Sequence, residues 1–168
     1  MITGDWIAGF SDGESWFTLM IAPSKSVQIG FNVAPIFRIQ LHKSDKNILD
    51  QIQEYLGVGK VQPQSYNGRD SSLFRVTSIK ECLQVREFFN QYPLQSKKRY
   101  SFEAWSKGLD IIASKEHLTK EGILELAKLR DKMNIASTRH HLGKYRYRDY
   151  KYFRARLSDD NYQLEFTS

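Results

Sequence analysis

The sequence predicts an α+β fold: a helix, a pair of strands, a second helix, a second strand pair, then further helices. Three observations carry this. Apolar residues change from helical spacing to alternation at Ser15 and return to helical spacing after residue 43. Asn67-Gly68 stands between two strand-like stretches, the signal of a tight hairpin. Ser78 with Glu81, and Thr119, mark helix starts in the second half.

Each element follows from its residues. Residues 4–12 read as a short helix with Trp6, Ile7 and Phe10 as its apolar side. Gly4, Ala8, Gly9 and Gly13 are small, and Gly9 and Gly13 lie four apart, spacing that lets a second helix come close. From Ser15, Phe17, Leu19 and Ile21 alternate with Trp16, Thr18 and Met20 as a strand. "PSKSVQIG" is a loop. In "FNVAPIFRIQLH", Phe31, Val33, Phe37, Ile39 and Leu41 form one face, and Asn32, Arg38, Gln40 and His42 the other. Pro35 predicts a bulge or an edge. The next helix is expected to be capped by Ser44, with Asp45 in its first turn, and to end at Gly57. "KVQPQSY" and "SSLFRVTS" form the second strand pair. Helices follow from Ser78 to Pro93, over about 97–114, and over 120–133. Residues 1–134 are thus expected to form the domain, and 135–168 a basic, tyrosine-rich extension with no clear period.

Composition narrows the function. The chain has 168 residues, 40% hydrophobic and 26% charged, which suits one globular domain. No apolar run approaches the roughly 20 residues of a membrane span, and "MITGDWIAGF" has no secretory pattern, so no membrane partner is expected. The single cysteine, Cys82, excludes an internal disulfide framework and a multi-cysteine zinc site. An intracellular compartment is expected, organellar or the prokaryotic cytoplasm. The net charge of +6 favours a polyanionic partner, and basic residues cluster after residue 95 while the first half is close to neutral.

Asp12 and Glu14 flank Gly13 where the first helix ends. A helix C-terminus is partly negative, so carboxylates there cost a few tenths to about 1 kcal/mol each. Two readings fit: solvated acids at a turn, or oxygen ligands for a divalent cation such as Mg2+, with backbone carbonyls added.

"WIAGFSDGESWF" resembles the signature of the LAGLIDADG homing endonucleases. It has the hydrophobic start, Ala8-Gly9, an aromatic, Asp12-Gly13, an acid at 14 and an aromatic-rich strand; Ser15 stands where the family commonly has glycine. "FRIQLHKSDKNILDQIQEYLGVGKV", "FRVTSIKECLQVREFFNQYPLQSKKRYSFEAW" and "KEHLTKEGILELAKLRDKMN" are similar to later family segments, in the same order, so the likeness covers roughly residues 4–134. It implies an αββαββα saddle whose motif helices, through Ala8, Gly9 and Asp12, meet at the centre of a dimer or of two fused repeats. It implies Glu14 as metal ligand with the Gly13 carbonyl beside it; Asp12 is a further candidate ligand and is implied to cap or position the partner helix. The implied reaction is Mg2+-dependent hydrolysis of double-stranded DNA, leaving short 3′ overhangs.

In "YPLQSKKRY" the basic cluster at a helix start needs a compensating anion. The resemblance places a lysine of this segment near the active site, Lys97 or Lys98, where it could polarise the scissile phosphate or order water. A polar family position aligns with Leu41, and Gln40 points to the other face. Readout of DNA is expected from the polar strand faces: Trp16, Thr18 and Met20; Asn32, Ala34, Arg38 and Gln40; Lys60, Gln62 and Gln64; Arg75 and Thr77. The interleaved arginines and tyrosines of the tail suit phosphate contact and stacking, or an exposed extension. His140 and His141 lack companion ligands, and His42 and His117 read as structural or surface residues. The sequence carries one motif and no second copy of "IAGFSDGE", which implies a homodimer on a near-palindromic site. The alternatives are half of a two-motif endonuclease, an intron RNA maturase, or a DNA-binding protein that no longer cuts.

Overall fold

The computed structural model describes residues 2–66, 69–134 and 148–159. Helix α1 (Gly4–Glu14) leads directly into β1 (Ser15–Pro23); β2 (Phe31–His42) follows, then a single 3-10 turn over Lys43–Asp45 and α2 (Lys46–Leu56). Next come β3 (Lys60–Tyr66), β4 (Arg69–Val76), α3 (Ile79–Gln91) and α4 (Lys98–Ala113). A second 3-10 turn at Glu116–Leu118 precedes α5 (Lys120–Asn134), and α6 spans Tyr150–Leu157. The strands form one antiparallel sheet in the order β1-β2-β4-β3. The α+β expectation is met.

The described residues fall into two compact units. One takes residues up to Thr18 and Pro35–Phe102; the other takes Leu19–Ala34 and the chain from Glu103. In the first, Phe37 pairs with Val76 and Ile39 with Phe74, and all four are buried. Phe17 packs on Phe37 and Phe89, with ring centres 5.1 and 5.5 Å apart. Cys82 is buried and its Sγ points at the Pro35 carbonyl at 3.8 Å. Burial pushes its thiol up to about 12, so it serves as inert packing.

Local signals explain the boundaries. Thr3 Oγ1 accepts from Trp6 N at 3.3 Å and starts α1. Ser78 Oγ accepts from Glu81 N and Thr119 Oγ1 from Gly122 N, as the sequence predicts. Gly57, at φ 67°, ends α2 in the left-handed conformation. Ser44 does not cap α2. His42 Nδ1 takes the Ser44 N–H at 3.3 Å, which inserts the 3-10 turn and delays α2 to Lys46. Pro35 sits in no edge strand, since β2 lies between β1 and β4. Pro35, Ile36 and Phe37 are buried in succession, which breaks the alternation as a bulge would. Phe37 pairs with Val76, the last residue of β4, so Pro35 lies beyond that ladder. Asn67-Gly68 lies outside the described residues; Tyr66 and Arg69 on either side are paired.

In the second unit, Gly108 of α4 lies against Leu19, so close that a Cβ would stand 2.6 Å from the Leu19 methyls. Part of the tail is ordered onto this unit. Asp149 Oδ1 caps α6 by accepting from Tyr152 N at 2.9 Å, and Asp131 Oδ2 accepts from Tyr150 N at 2.9 Å. Arg130, itself buried, donates to the Arg148 carbonyl and stacks on Phe153. Phe153 is fully buried and meets Phe31 edge to face at 5.2 Å. Residues 135–147, with His140 and His141, and residues 160–168 lie outside the described residues.

Phe153→Ala should remove the anchor of α6. Large-to-small changes of this kind cost about 3–5 kcal/mol. The expected result is a lower unfolding midpoint and faster tryptic cutting after Lys151 or Arg154; unchanged digestion would show that α6 is held by other contacts.

Candidate active site and nucleic-acid interface

The first unit builds the site where α1 stops. Ser15 is already extended, and its Oγ, buried, donates to the Ser11 carbonyl at 2.7 Å. The helix therefore runs through Asp12, Gly13 and Glu14, two residues further than the sequence predicts. The last carbonyls of a helix have no intrahelical donor. Lys98 Nζ supplies one, donating to Gly13 O at 3.2 Å and Ser15 O at 2.5 Å. Desolvation lowers the proton affinity of Lys98 below that of an ordinary lysine, while the charges of Asp12 and Glu14 act in the opposite direction. The anion that the basic start of α4 needs is thus met, for Lys98, by the negative end of α1. Lys97 is exposed and has no such contact.

The two acids do different things. Asp12 accepts from Gln95 N at 2.8 Å, from Ser96 Oγ at 2.7 Å and from Ser96 N at 3.2 Å. Burial alone would raise its carboxyl, but these hydrogen bonds and Lys98 hold it below the usual carboxylate range. Asp12 therefore fastens the loop before α4 of its own chain; it does not stand free as a metal ligand or as a cap for a partner helix. Glu14 is exposed, and among the described residues its carboxylate makes no hydrogen bond or ion pair. It borders a cleft of about 730 Å³ with Gly13, Trp16, Arg38, Gln40 and Leu41. Gln40 and Leu41 line the same cleft although they alternate along β2, and Gln40 Nε2 is spent on Ser71 Oγ at 2.9 Å.

Among the described residues no three His, Cys, Asp or Glu side chains gather into a metal site. What one chain offers is a free carboxylate and the Gly13 carbonyl, already shared with Lys98. That is a partial oxygen set, and it fits Mg2+, which commonly takes one or two carboxylates with water and substrate phosphate.

The rest of the expected interface divides by unit. In the first, Lys60, Arg75 and Arg38 form one cross-strand row, and Arg38 lies over Trp16, 4.8 Å from the ring centre. Gln62, Leu73 and Gln40 form the next row, then Gln64, Ser71 and His42. Trp16 is 50% exposed; Gln40, Lys60 and Gln62 are exposed, Thr18, Arg38, Gln64 and Arg75 half-buried. Thr77 is exposed just past the end of β4. Ser71 and Leu73 belong to this face and were not expected there. The alternation of "SSLFRVTS" carries that information, but an apolar Leu73, 5% exposed, reads as core. In the second unit Asn32 is exposed and Met20 and Ala34 are half-buried. Of the small residues on α1, Ala8 is 5% exposed and faces its own core, so it is not available to a partner. Gly9 and Gly13 are exposed, with no atom within 4 Å of where a Cβ would stand. Trp6 and Phe10 stack beside them at 4.8 Å.

A four-stranded open sheet whose polar face adjoins an acid-bearing helix end is the architecture of homing endonucleases. The LAGLIDADG endonuclease family matches residues 7–109, and the chain belongs to it. An uncharacterised protein of ND4 intron 1 from Podospora anserina is 33% identical over 117 residues, 68% of this chain and 25% of that protein. Probable intron-encoded endonuclease 3 of Neurospora crassa is 28% identical over 132 residues, 77% of this chain and 24% of that one. The chain spans about a quarter of the length of these fungal relatives. The homing endonuclease I-TnaI has the same fold with a TM-score of 0.75 and 31% identity, over 80% of this chain and 90% of that chain. The LAGLIDADG meganuclease I-CpaMI, bound to uncleaved DNA, superposes with a TM-score of 0.71 and 37% identity, over 77% of this chain and 43% of that one.

Asp12→Asn tests the in-chain role. An amide accepts through one oxygen only, so about 1 kcal/mol of stability should be lost near neutrality. A carboxyl held low in the folded state stabilises above its unfolded value of about 3.9 and loses that contribution as pH falls through the folded value. Urea unfolding from pH 7 to pH 2 should show a shallower acid-side loss in the variant.

Proposed function

We propose that this chain is a metal-dependent endonuclease that cuts double-stranded DNA at a specific site. The observation that carries the reading is Glu14: an exposed acid that makes no hydrogen bond or ion pair among the described residues, at a helix end that disfavours it, beside a cleft edged by arginine and tryptophan. Such an acid costs stability unless a cation is its counterpart. A bound divalent cation, Mg2+ by its preference for hard oxygens, supplies charge stabilisation to the attacking and leaving oxygens and makes water more acidic. Glu14 and the Gly13 carbonyl would hold it. Lys98 has spent two of its three N–H donors on Gly13 and Ser15. The third is left for a scissile phosphate oxygen or a water, and its position is fixed by the first two. Exposed Lys97 adds positive field beside it.

One free carboxylate serves one strand, so a double-strand break needs a second copy of the site. The exposed Trp6–Phe10 stack and the open Gly9 and Gly13 give α1 a face suited to another α1, and we propose a homodimer on a long, near-palindromic site leaving short 3′ overhangs. The reading as half of a two-motif protein is favoured by one observation, that the chain covers 43% of I-CpaMI. The 90% coverage of I-TnaI favours the separate chain. Relatives named for ND4 and cox1 introns support an organellar setting. Among the described residues no helix is long and apolar enough to cross a membrane.

Incubation with a library of symmetric and asymmetric duplexes and Mg2+, followed by sequencing of new ends, should give paired breaks at a fixed stagger in one near-symmetric site. Specific retention of duplexes or of intron RNA without breaks would favour a non-cutting DNA-binding protein or a maturase. Glu14→Gln should reduce cutting by several orders of magnitude and leave duplex binding intact; undiminished cutting would remove Glu14 from the metal site. Gly9→Leu has open space within the chain, so its fold should persist while sedimentation shows monomers. A stable Gly9→Leu dimer would place the interface elsewhere.

A further inference from the structure

Three cations cross the first unit's strands in one row. Lys60 pairs with Arg75, and Arg75 with Arg38, so all three side chains leave the same face of the sheet. Like charges directly opposite one another are destabilising. Burial and the charge of Arg75 together lower the proton affinity of Arg38. Among the described residues no acid pairs with any of the three to offset the repulsion, and the buried Nε of Arg75 has no hydrogen-bond partner. Asp70 stands at the other end of β4, paired to Lys43 at 2.7 Å.

The row is therefore built for an acceptor that arrives from outside. Phosphate and a base edge are the two acceptors that DNA offers. Phosphate is served by long, mobile, exposed cations, and it needs no fixed plane. Here both arginines are half-buried, and the Arg38 guanidinium lies over the Trp16 ring. The next row carries the exposed amide of Gln62, which also suits a base edge. Guanine presents O6 and N7 side by side in the major groove, the match for a planar guanidinium.

We propose that Arg38 and Arg75, with Lys60 beside them, read neighbouring guanines in each half of the DNA target. This rests on the DNA-cutting reading above and adds a base preference to it. The test is selection of half-site duplexes from a randomised library by the full chain in EDTA, so that binding is read without cutting. Retained duplexes should carry guanine at two neighbouring positions. Replacing either guanine by 7-deazaguanine, which lacks the N7 acceptor, should weaken binding about 10-fold or more. Arg38→Gln and Arg75→Gln, checked for an unchanged unfolding midpoint, should each relax the preference at one position and leave the salt dependence alone. Sequence-specific retention without guanine at these positions overturns the proposal and leaves the DNA-cutting reading standing. A uniform loss across sequences with a shallower salt dependence also overturns it, by making the row a phosphate contact. If the folded wild-type chain retains no duplex at all, both readings fail.

Discussion

The site depends on an exchange between two helix ends. The C-terminal end of α1 is short of donors and partly negative; the N-terminal end of α4 and the loop before it are short of acceptors and partly positive. Lys98 crosses from α4 to the carbonyls of Gly13 and Ser15, and Asp12 crosses from α1 to the amides of Gln95 and Ser96. Each residue is unfavourable on its own helix and favourable on the other. Together they tie together two segments more than eighty residues apart in sequence, through hydrogen bonds that each involve a charged group and so exceed neutral ones in strength.

This exchange decides what remains for chemistry. Asp12 is consumed by the fold, and two of the three donors of Lys98 are consumed with it. Glu14 is the acid the arrangement leaves unspent, one residue before the strand begins. Because β1 starts at Ser15 without a linker, Glu14 cannot drift from the sheet face that begins with Trp16. A loop of a few residues there would uncouple the acid from the sheet.

Most of the fold was legible because it is written in periodicities. The change from helical spacing to alternation at Ser15, the caps at Ser78 and Thr119, and the stop at Gly57 all depend on residues next to the boundary they mark. The failures share a cause. Ser44 looked like a cap, but His42 reached its amide first. Ala8 looked like an interface residue, because small residues at helical spacing do not reveal which of them turn inward. Asp12 looked like a ligand, because nothing at position 12 announces amides at 95 and 96. Glu14 and Lys98 were singled out from likeness to a family signature; spacing alone favoured solvated acids at a turn. The short helix α6 escaped detection because its capping Asp149 and its two buried anchors, Phe153 and Leu157, sit in a run of arginine and tyrosine.

The two faces of α1 bear on both the proposed homodimer and the proposed metal. Ile7, Ala8 and Ser11 point inward and are buried. Trp6, with 41% of its surface exposed, stacks on Phe10 beside glycines that leave room for another backbone. Glycine lowers helix stability by up to about 1 kcal/mol per position, and α1 carries Gly9 and Gly13 on this side in addition to an exposed indole. A helix that served only its own core would be better with alanine and a polar residue there. A second helix packed on that face repays both costs, and its own Glu14 would then arrive at the same end of the pair. In the proposed homodimer, the partial oxygen set of one chain would be joined by a second where the aromatic and glycine face is covered.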